Sequence, residues 1–127
     1  MGMLDGFSAF NFEEGVPYVS VTINGVTFNK SVVMKLDYPE YALLLINPDE
    51  KKIAVQACGE QTENATSFYK EKKSGVISVR WNGRDLLNTF QDLMGWDLKQ
   101  QAYRIEGTHL KAERAILFDL NQATPLS

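Results

Sequence analysis

The chain has 127 residues, of which 44 % are hydrophobic and 23 % charged, and these proportions are ordinary for one globular domain. Thirteen basic and sixteen acidic residues give a formal net charge of −3, which provides no bulk attraction toward nucleic acid or anionic lipid. The composition excludes a collagen-like, disulfide-rich or wholly disordered chain. One cysteine and one histidine exclude an intramolecular disulfide and the usual Cys/His zinc site.

Targeting and catalytic signals are missing from the sequence. No apolar run reaches the roughly 20 residues of a membrane-spanning helix, and the first residues lack the basic start of a secretory signal. We therefore expect a cytoplasmic protein without membrane contact. His109 and Cys58 have no catalytic partner nearby in sequence, and the glycines match neither a phosphate loop nor a dinucleotide-binding fingerprint. The sequence predicts a non-enzymatic protein without a metal, a cofactor or a small-molecule substrate.

The first predicted elements follow an N-terminal arm, residues 1–17, which carries the whole acidic excess. β-branched and aromatic residues predict a strand over 18–23, and Asn24-Gly25 predicts a tight turn because both residues tolerate positive φ. Apolar residues at helical spacing then predict a short helix that is capped by Asn29 and ends at Asp37-Tyr38-Pro39.

A hairpin and a polar stretch come next along the chain. Two further strands are predicted over 41–47 and 52–58, joined by the polar turn Pro48-Asp49-Glu50-Lys51. Gly, Glu, Gln, Thr, Asn and Lys dominate residues 59–74, which we expect to form a linker or an exposed loop.

Residues 20–39 match residues 78–97 at an offset of 58, and the hairpins that follow match at shifted positions, which predicts that residues 75–120 repeat the pattern of residues 18–58. Asn82-Gly83 corresponds to Asn24-Gly25, and the apolar positions of the two predicted helices coincide. A unit of this size is too small to bury its own core. We predict an α+β fold in which two β-α-β-β repeats form one barrel-like domain with pseudo-twofold symmetry, followed by a tail over 121–127. The alternative is a pair of unrelated segments that share common turn chemistry.

The segment from Val21 to Tyr38, with the hairpin that follows it, resembles the swapped-hairpin AbrB/MazE/SpoVT domain. In the second copy Asn82-Gly83-Arg84 is similar to the turn of that family, and Met94-Gly95-Trp96 to the end of its helix. In the first copy Leu36-Asp37-Tyr38 holds this place, with Asp where Gly is usual. Members usually pair two chains, whereas both copies lie in one chain here. The resemblance implies a DNA-binding transcriptional regulator or antitoxin-like module.

The resemblance also implies which residues face DNA. The candidates are Lys30 and Lys35 in the first copy and Arg80 and Arg84 in the second. Arginine makes bidentate contacts to guanine, and lysine neutralises phosphate. Trp81, beside the second turn, is a candidate anchor for a protein partner or a second copy, with core packing as the alternative. If the four cations are only solvated surface charges, the chain is instead a protein-interaction or structural module on the same scaffold. The expected partners are double-stranded DNA, or a protein partner or homodimer.

Overall fold

A computed structural model describes residues 2–8, 15–71 and 75–126. Residues 9–14 of the predicted arm and 72–74 of the predicted linker lie outside the described residues. Strands make up 39 % of the described residues and helices of all types 20 %.

The elements are short, and most of them are strands. The nine strands are β1 (Tyr18–Thr22), β2 (Gly25–Phe28), β3 (Tyr41–Asn47), β4 (Lys52–Cys58), β5 (Thr66–Ser67), β6 (Val79–Trp81), β7 (Ala102–Leu110), β8 (Ala115–Asp119) and β9 (Thr124–Leu126). The two α-helices are α1 (Lys30–Lys35) and α2 (Arg84–Met94), and 3₁₀ helices cover Lys111–Glu113 and Leu120–Gln122.

Local sequence signals explain the start of the fold. Asn24 lies in the turn between β1 and β2, and Gly25 follows it with φ 142°, which confirms the predicted turn. Asn29 caps α1, because its Oδ1 accepts hydrogen bonds from the backbone N–H of Val32 at 3.2 Å and of Tyr18 at 3.0 Å. The same side chain therefore starts the helix and ties it to the beginning of β1.

All nine strands belong to one antiparallel sheet, in the order β5-β3-β4-β8-β7-β1-β2-β6, with β9 beside β7. The long strand β7 is the centre of this arrangement. One edge of β7 pairs with β1, where Val19 lies opposite Ile105. The other edge pairs first with β9 and then with β8. The sheet therefore curls into a half-barrel around the side chains of its inner face.

Gly107 allows β7 to cross close to β8. A Cβ atom at this position would lie 2.5 Å from Cγ2 of Ile116 and 2.7 Å from Cε1 of Phe118, and both of these side chains are fully buried. The backbone N–H of Gly107 also donates to the carbonyl of Pro17 at 2.8 Å. The absence of a side chain here lets the two core residues pack directly over the β7 backbone.

An aromatic cluster fills the interior where the two edges of the sheet approach each other. The ring of Phe28 contacts the rings of Phe68, Trp81 and Phe118 at centroid distances of 5.5, 5.1 and 6.2 Å. The indole Nε1–H of Trp81 on β6 donates to the carbonyl of Ser67 on β5 at 2.9 Å. One side-chain hydrogen bond therefore joins edge strands that make no ladder with each other in the described structure.

The helices add their apolar sides to the same core. In α2, Leu87 and Phe90 are buried, and Leu86, Leu93 and Met94 are partly buried against the hydrophobic core. The helix ends at Gly95, whose φ of 69° is the left-handed conformation that glycine favours. Among the described residues, no helix has the length and apolar character needed to cross a membrane.

The predicted α+β fold with two β-α-β-β repeats is wrong. The structure is nearly all-β: one curled antiparallel sheet with a single helix of more than two turns, α2. The first segment contains the extra strand β2, whereas Asn82-Gly83 leads directly into α2 without a second strand. In the predicted repeats β6 is the counterpart of β1, and β7 is the counterpart of β3. Since β1 pairs with β7, a pseudo-twofold axis requires β6 to pair with β3, but β6 pairs with β2. The coarser expectation of a barrel-like sheet is confirmed as a curled half-barrel.

Candidate nucleic-acid interface

The four predicted cations lie on three different elements. Lys30 and Lys35 are the first and last residues of α1, Arg80 is the middle residue of β6, and Arg84 begins α2. Arg80, Arg84 and Lys30 are exposed, and Lys35 is half-buried. Because residues of a strand alternate between its two faces, Arg80 belongs to the outer face of the sheet while Val79 and Trp81 face the core.

Arg80 is held in one position by its neighbours. Its Nε–H donates to Oγ1 of Thr27 on the adjacent strand at 3.2 Å. Its aliphatic stem lies over Gly25, where an added Cβ would approach Cγ of Arg80 to 3.0 Å. Within the part of the chain that the structure describes, no carboxylate pairs with Arg80. The terminal nitrogens of its guanidinium group are therefore oriented in advance and remain able to donate to a ligand.

Strand register extends this site across the outer face. Arg80 lies opposite Thr27, Thr27 opposite Ser20, Ser20 opposite Arg104, and Arg104 opposite Thr124. We call this row of five residues the polar ladder. Neighbouring strands lie about 4.8 Å apart, so the three steps from Arg80 to Arg104 separate their backbones by about 14 Å.

Arg104 is positioned by an aromatic ring. Its guanidinium carbon lies 3.6 Å from the ring centroid of Tyr18, which is a cation–π contact. Glu106 follows two residues later on the same face and lies opposite Tyr18. A groove of about 260 Å³ opens beside Arg104 and is lined by Arg104, Glu106, Gln122 and Thr124. This end of the polar ladder carries one positive and one negative side chain.

Arg84 belongs to a different groove. A depression of about 550 Å³ lies between the β1–β2 turn and the start of α2, where Arg84 and Lys99 contribute the positive charges. Its other lining residues are mostly amides: Ile23, Asn24, Asn82, Gly83, Leu87, Asn88 and Gln91. The structure therefore places Arg80 and Arg84, which are near neighbours in sequence, against different sets of residues.

Trp81 lies on the inner side of β6. Its ring contacts Phe28 and Phe68, and its indole N–H bonds to Ser67. These contacts explain the position of the Trp81 side chain: its ring packs in the core, and its N–H joins the two edge strands of the sheet. Its predicted role as an anchor for a partner stays a prediction.

The groups with the most chemical reactivity are scattered. Cys58 and His109 are half-buried, and the described residues contain no group of three or more His, Cys, Asp and Glu side chains that could hold a metal. The carboxylate of Glu60 raises the pKa of Tyr41, with smaller contributions from burial and from Glu40. That phenol is neutral at pH 7 with or without this shift, so it adds no charge to the surface.

Comparison with known proteins adds no functional assignment. No protein-family model, curated protein or solved structure matches the chain. The comparisons therefore identify no AbrB/MazE/SpoVT domain in it.

Sequence reasoning missed Arg104 and Lys99. The resemblance implies cations in and around the two predicted Asn-Gly turns and helices, whereas Arg104 joins Arg80 only through the register of β1, β2 and β7. One signal was available in the sequence, because Arg104 and Glu106 alternate with the apolar residues Tyr103 and Ile105 as expected for a half-exposed strand. The alternation predicts that this strand has a polar outer face, but it does not predict which strand pairs with it.

Proposed function

We propose that this chain is a non-enzymatic module that binds double-stranded DNA through the polar ladder. In this proposal Arg80 and Arg104 contact phosphate oxygens. The position of Arg80 is the observation that carries this proposal. The side chain is exposed, donates a hydrogen bond to Thr27 and packs over Gly25, and no described carboxylate pairs with it. A fixed guanidinium loses less conformational entropy on binding than a mobile one.

The spacing of the two arginines supports a contact to a duplex. About 14 Å corresponds to the rise of roughly four base pairs, so both side chains can reach phosphates on one side of the helix. β-sheets are an established means of contacting DNA grooves. The outer face from β6 to β9 is built from neighbouring strands, and Gln122 of the second 3₁₀ helix lines the groove beside Arg104.

Hydroxyl groups supply the neutral part of the interface. Oγ1 of Thr27 accepts from Arg80, which leaves the hydroxyl proton of Thr27 available to a phosphate oxygen. Ser20 lies between Thr27 and Arg104 in the same row. Short hydroxyl side chains are common phosphate ligands, and contacts of this kind orient a protein on DNA without reading its sequence.

The expected affinity is low. Each neutralised phosphate contributes about −0.9 to the slope of log K against log salt concentration, so two arginines predict a slope of about −2. The chain as a whole carries a net charge of −3, and Glu106 lies beside Arg104. We therefore expect dissociation constants in the non-specific range, about 10⁻⁴ to 10⁻⁶ M.

A salt titration with matched variants tests the proposal. Fluorescence anisotropy of a labelled mixed-sequence duplex is measured at several salt concentrations for the wild type and for Arg80→Gln/Arg104→Gln. The double variant should lose about 1 unit of the salt slope for each arginine. The control Lys70→Gln/Lys111→Gln removes the same charge from exposed positions outside the polar ladder and should keep the wild-type slope. Salt-independent binding, no binding at low salt, or equal slopes for the two variants would refute the proposal.

A protein-interaction module remains the second candidate function. It is favoured by a different observation: β3 has an uncharged edge with exposed leucine and isoleucine side chains. In that case Arg80→Gln/Arg104→Gln and Lys70→Gln/Lys111→Gln show the same salt slope with DNA, while substitutions on β3 change association with another protein.

A further inference from the structure

A groove of about 460 Å³ lies between the segment that leads from α1 into β3 and the segment that follows β5. Three tyrosines and two glutamates make up most of its lining, which consists of Tyr38, Glu40, Tyr41, Tyr69, Lys70 and Glu71. None of these residues belongs to the polar ladder. An inference about this groove therefore does not depend on DNA binding.

Two of the aromatic rings are held against each other by the fold. The ring centroids of Tyr38 and Tyr69 lie 5.3 Å apart, and the ring planes meet at 68°, so the two rings form adjoining walls. Backbone hydrogen bonds fix the segments that carry them, because Tyr69 donates to the carbonyl of Pro39 at 3.0 Å and Phe68 to that of Glu40 at 2.7 Å. The walls are therefore in place before any ligand arrives.

The backbone at Tyr38 is strained. Asp37 has φ 63° and Tyr38 has φ 51°, so two consecutive residues other than glycine adopt the left-handed conformation. The N–H of Tyr38 donates to the carbonyl of Val33 at 3.0 Å, which holds this conformation. The side chain is nevertheless 40 % exposed. Strain at an exposed aromatic residue points to a role other than core packing.

Negative charge surrounds the rings. The carboxylates of Glu40 and Glu71 line the groove, and Lys70 is the only cation among the described residues of the lining. The carboxylate of Glu60 lies close enough to the Tyr41 phenol to raise its pKa. Among the described residues, no three His, Cys, Asp or Glu side chains come together to hold a metal. Oxygen ligands for a metal ion are therefore missing here, whereas the faces of aromatic rings attract organic cations.

We propose that this groove binds an organic cation whose nitrogen carries alkyl groups, as in a quaternary ammonium group. The rings of Tyr38, Tyr41 and Tyr69 contact the alkyl groups, since an aromatic face attracts a cation within about 6 Å of its centroid. The carboxylates of Glu40 and Glu71 supply the opposite charge at the rim. A free small molecule and a methylated lysine of another protein both carry this head group.

Nuclear magnetic resonance titration of the isotope-labelled chain with choline chloride, at constant ionic strength, tests the proposal. The backbone amide signals of residues 38–41 and 69–71 should shift, with a dissociation constant of about 1 mM. The matched probe is the choline analogue in which a carbon atom replaces the nitrogen. It has the same shape without the charge, so it should bind about tenfold more weakly or worse.

Variants identify the groups that hold the cation. Tyr38→Leu and Tyr69→Leu should each bind choline about fivefold more weakly, whereas Tyr38→Phe keeps the ring and should bind nearly like the wild type. Glu71→Gln should also weaken binding. Glu113→Gln is its matched control, because it removes the same charge from an exposed position outside the groove. The amide spectrum of each variant shows whether it is folded.

A second titration separates the two sources of the ligand. If a peptide that contains trimethyl-lysine binds more tightly than choline, the ligand is a methylated lysine of a partner protein; if choline binds as tightly or more tightly, it is a free small molecule. The proposal is overturned if neither probe shifts the groove signals, or if the carbon analogue binds as well as choline. It is also overturned if Tyr38→Leu and Glu71→Gln bind like the wild type. Should Tyr38→Leu fail to fold, the comparison of choline with its analogue on the wild type still decides.

Discussion

Substitution of Gly107 by alanine tests the close crossing of β7 and β8. The added Cβ would lie 2.5 Å from Cγ2 of Ile116 and 2.7 Å from Cε1 of Phe118, and neither side chain has solvent into which it can move. Overpacking a core of this kind costs about 1–3 kcal/mol. Replacing glycine also reduces the entropy of the unfolded chain, which returns about 0.4–1 kcal/mol. We therefore expect a net loss of about 1–2 kcal/mol in the free energy of unfolding.

Urea denaturation followed by circular dichroism measures this loss. With a slope of about 2 kcal/mol per molar urea, the midpoint should fall by roughly 0.5–1 M. Gly59→Ala is the control, because a Cβ at Gly59 meets no atom within 4 Å and the residue has no positive φ. Its midpoint should stay the same or rise slightly.

A second substitution shows whether the cause is the predicted clash. Phe118→Leu removes the ring atom that the new Cβ would meet, so the Gly107→Ala/Phe118→Leu variant should be more stable than the sum of the single losses predicts. An unchanged or higher midpoint for Gly107→Ala, or strict additivity in the cycle, would refute the packing argument.

Three further predictions concern other contacts. Asn29→Ala should lower the unfolding free energy by about 1–2 kcal/mol in urea titrations, while Asn29→Asp, which keeps the capping oxygen, should recover part of it. Trp81→Phe keeps an aromatic ring but loses the hydrogen bond to Ser67, so we expect a loss of about 0.5–1.5 kcal/mol; wild-type stability would contradict a role for this bond. The pKa of Tyr41 is raised above its ordinary value of 10.0 in the folded protein, so folding favours the neutral phenol. The stability that the neutral phenol contributes is present below pH 10 and is lost as the pH rises through the raised pKa. Glu60→Gln should lower this pKa in an ultraviolet titration, and an unchanged midpoint would exclude the Glu60 carboxylate as the main cause.

Local chemistry was predictable from the sequence. The turn at Asn24, the Asn29 cap and the strands over 41–47 and 52–58 are all confirmed, and each depends on neighbouring residues alone. The predicted end of the first helix is also confirmed, since α1 stops at Lys35.

Long-range pairing was not predictable in the same way. Asn82-Gly83 has the composition of a hairpin turn, yet its backbone enters α2, because a turn dipeptide does not determine whether a strand or a helix comes after it. The repeat prediction failed at this point. Similarly, Arg80 could be selected as a cation near a turn, but its neighbours in the polar ladder depend on register between strands far apart in the sequence.

The central place of β7 has a consequence for how the protein is made. Val19 pairs with Ile105, so β1 leaves the ribosome long before the strand that completes its ladder has been synthesised. The β3–β4 hairpin likewise waits for β8, which comes after β7 in the chain. Sheets dominated by such distant pairings fold slowly. The local ladders β1–β2 and β3–β4 can therefore form early, whereas the pairings that join them into one sheet wait for β7 and β8.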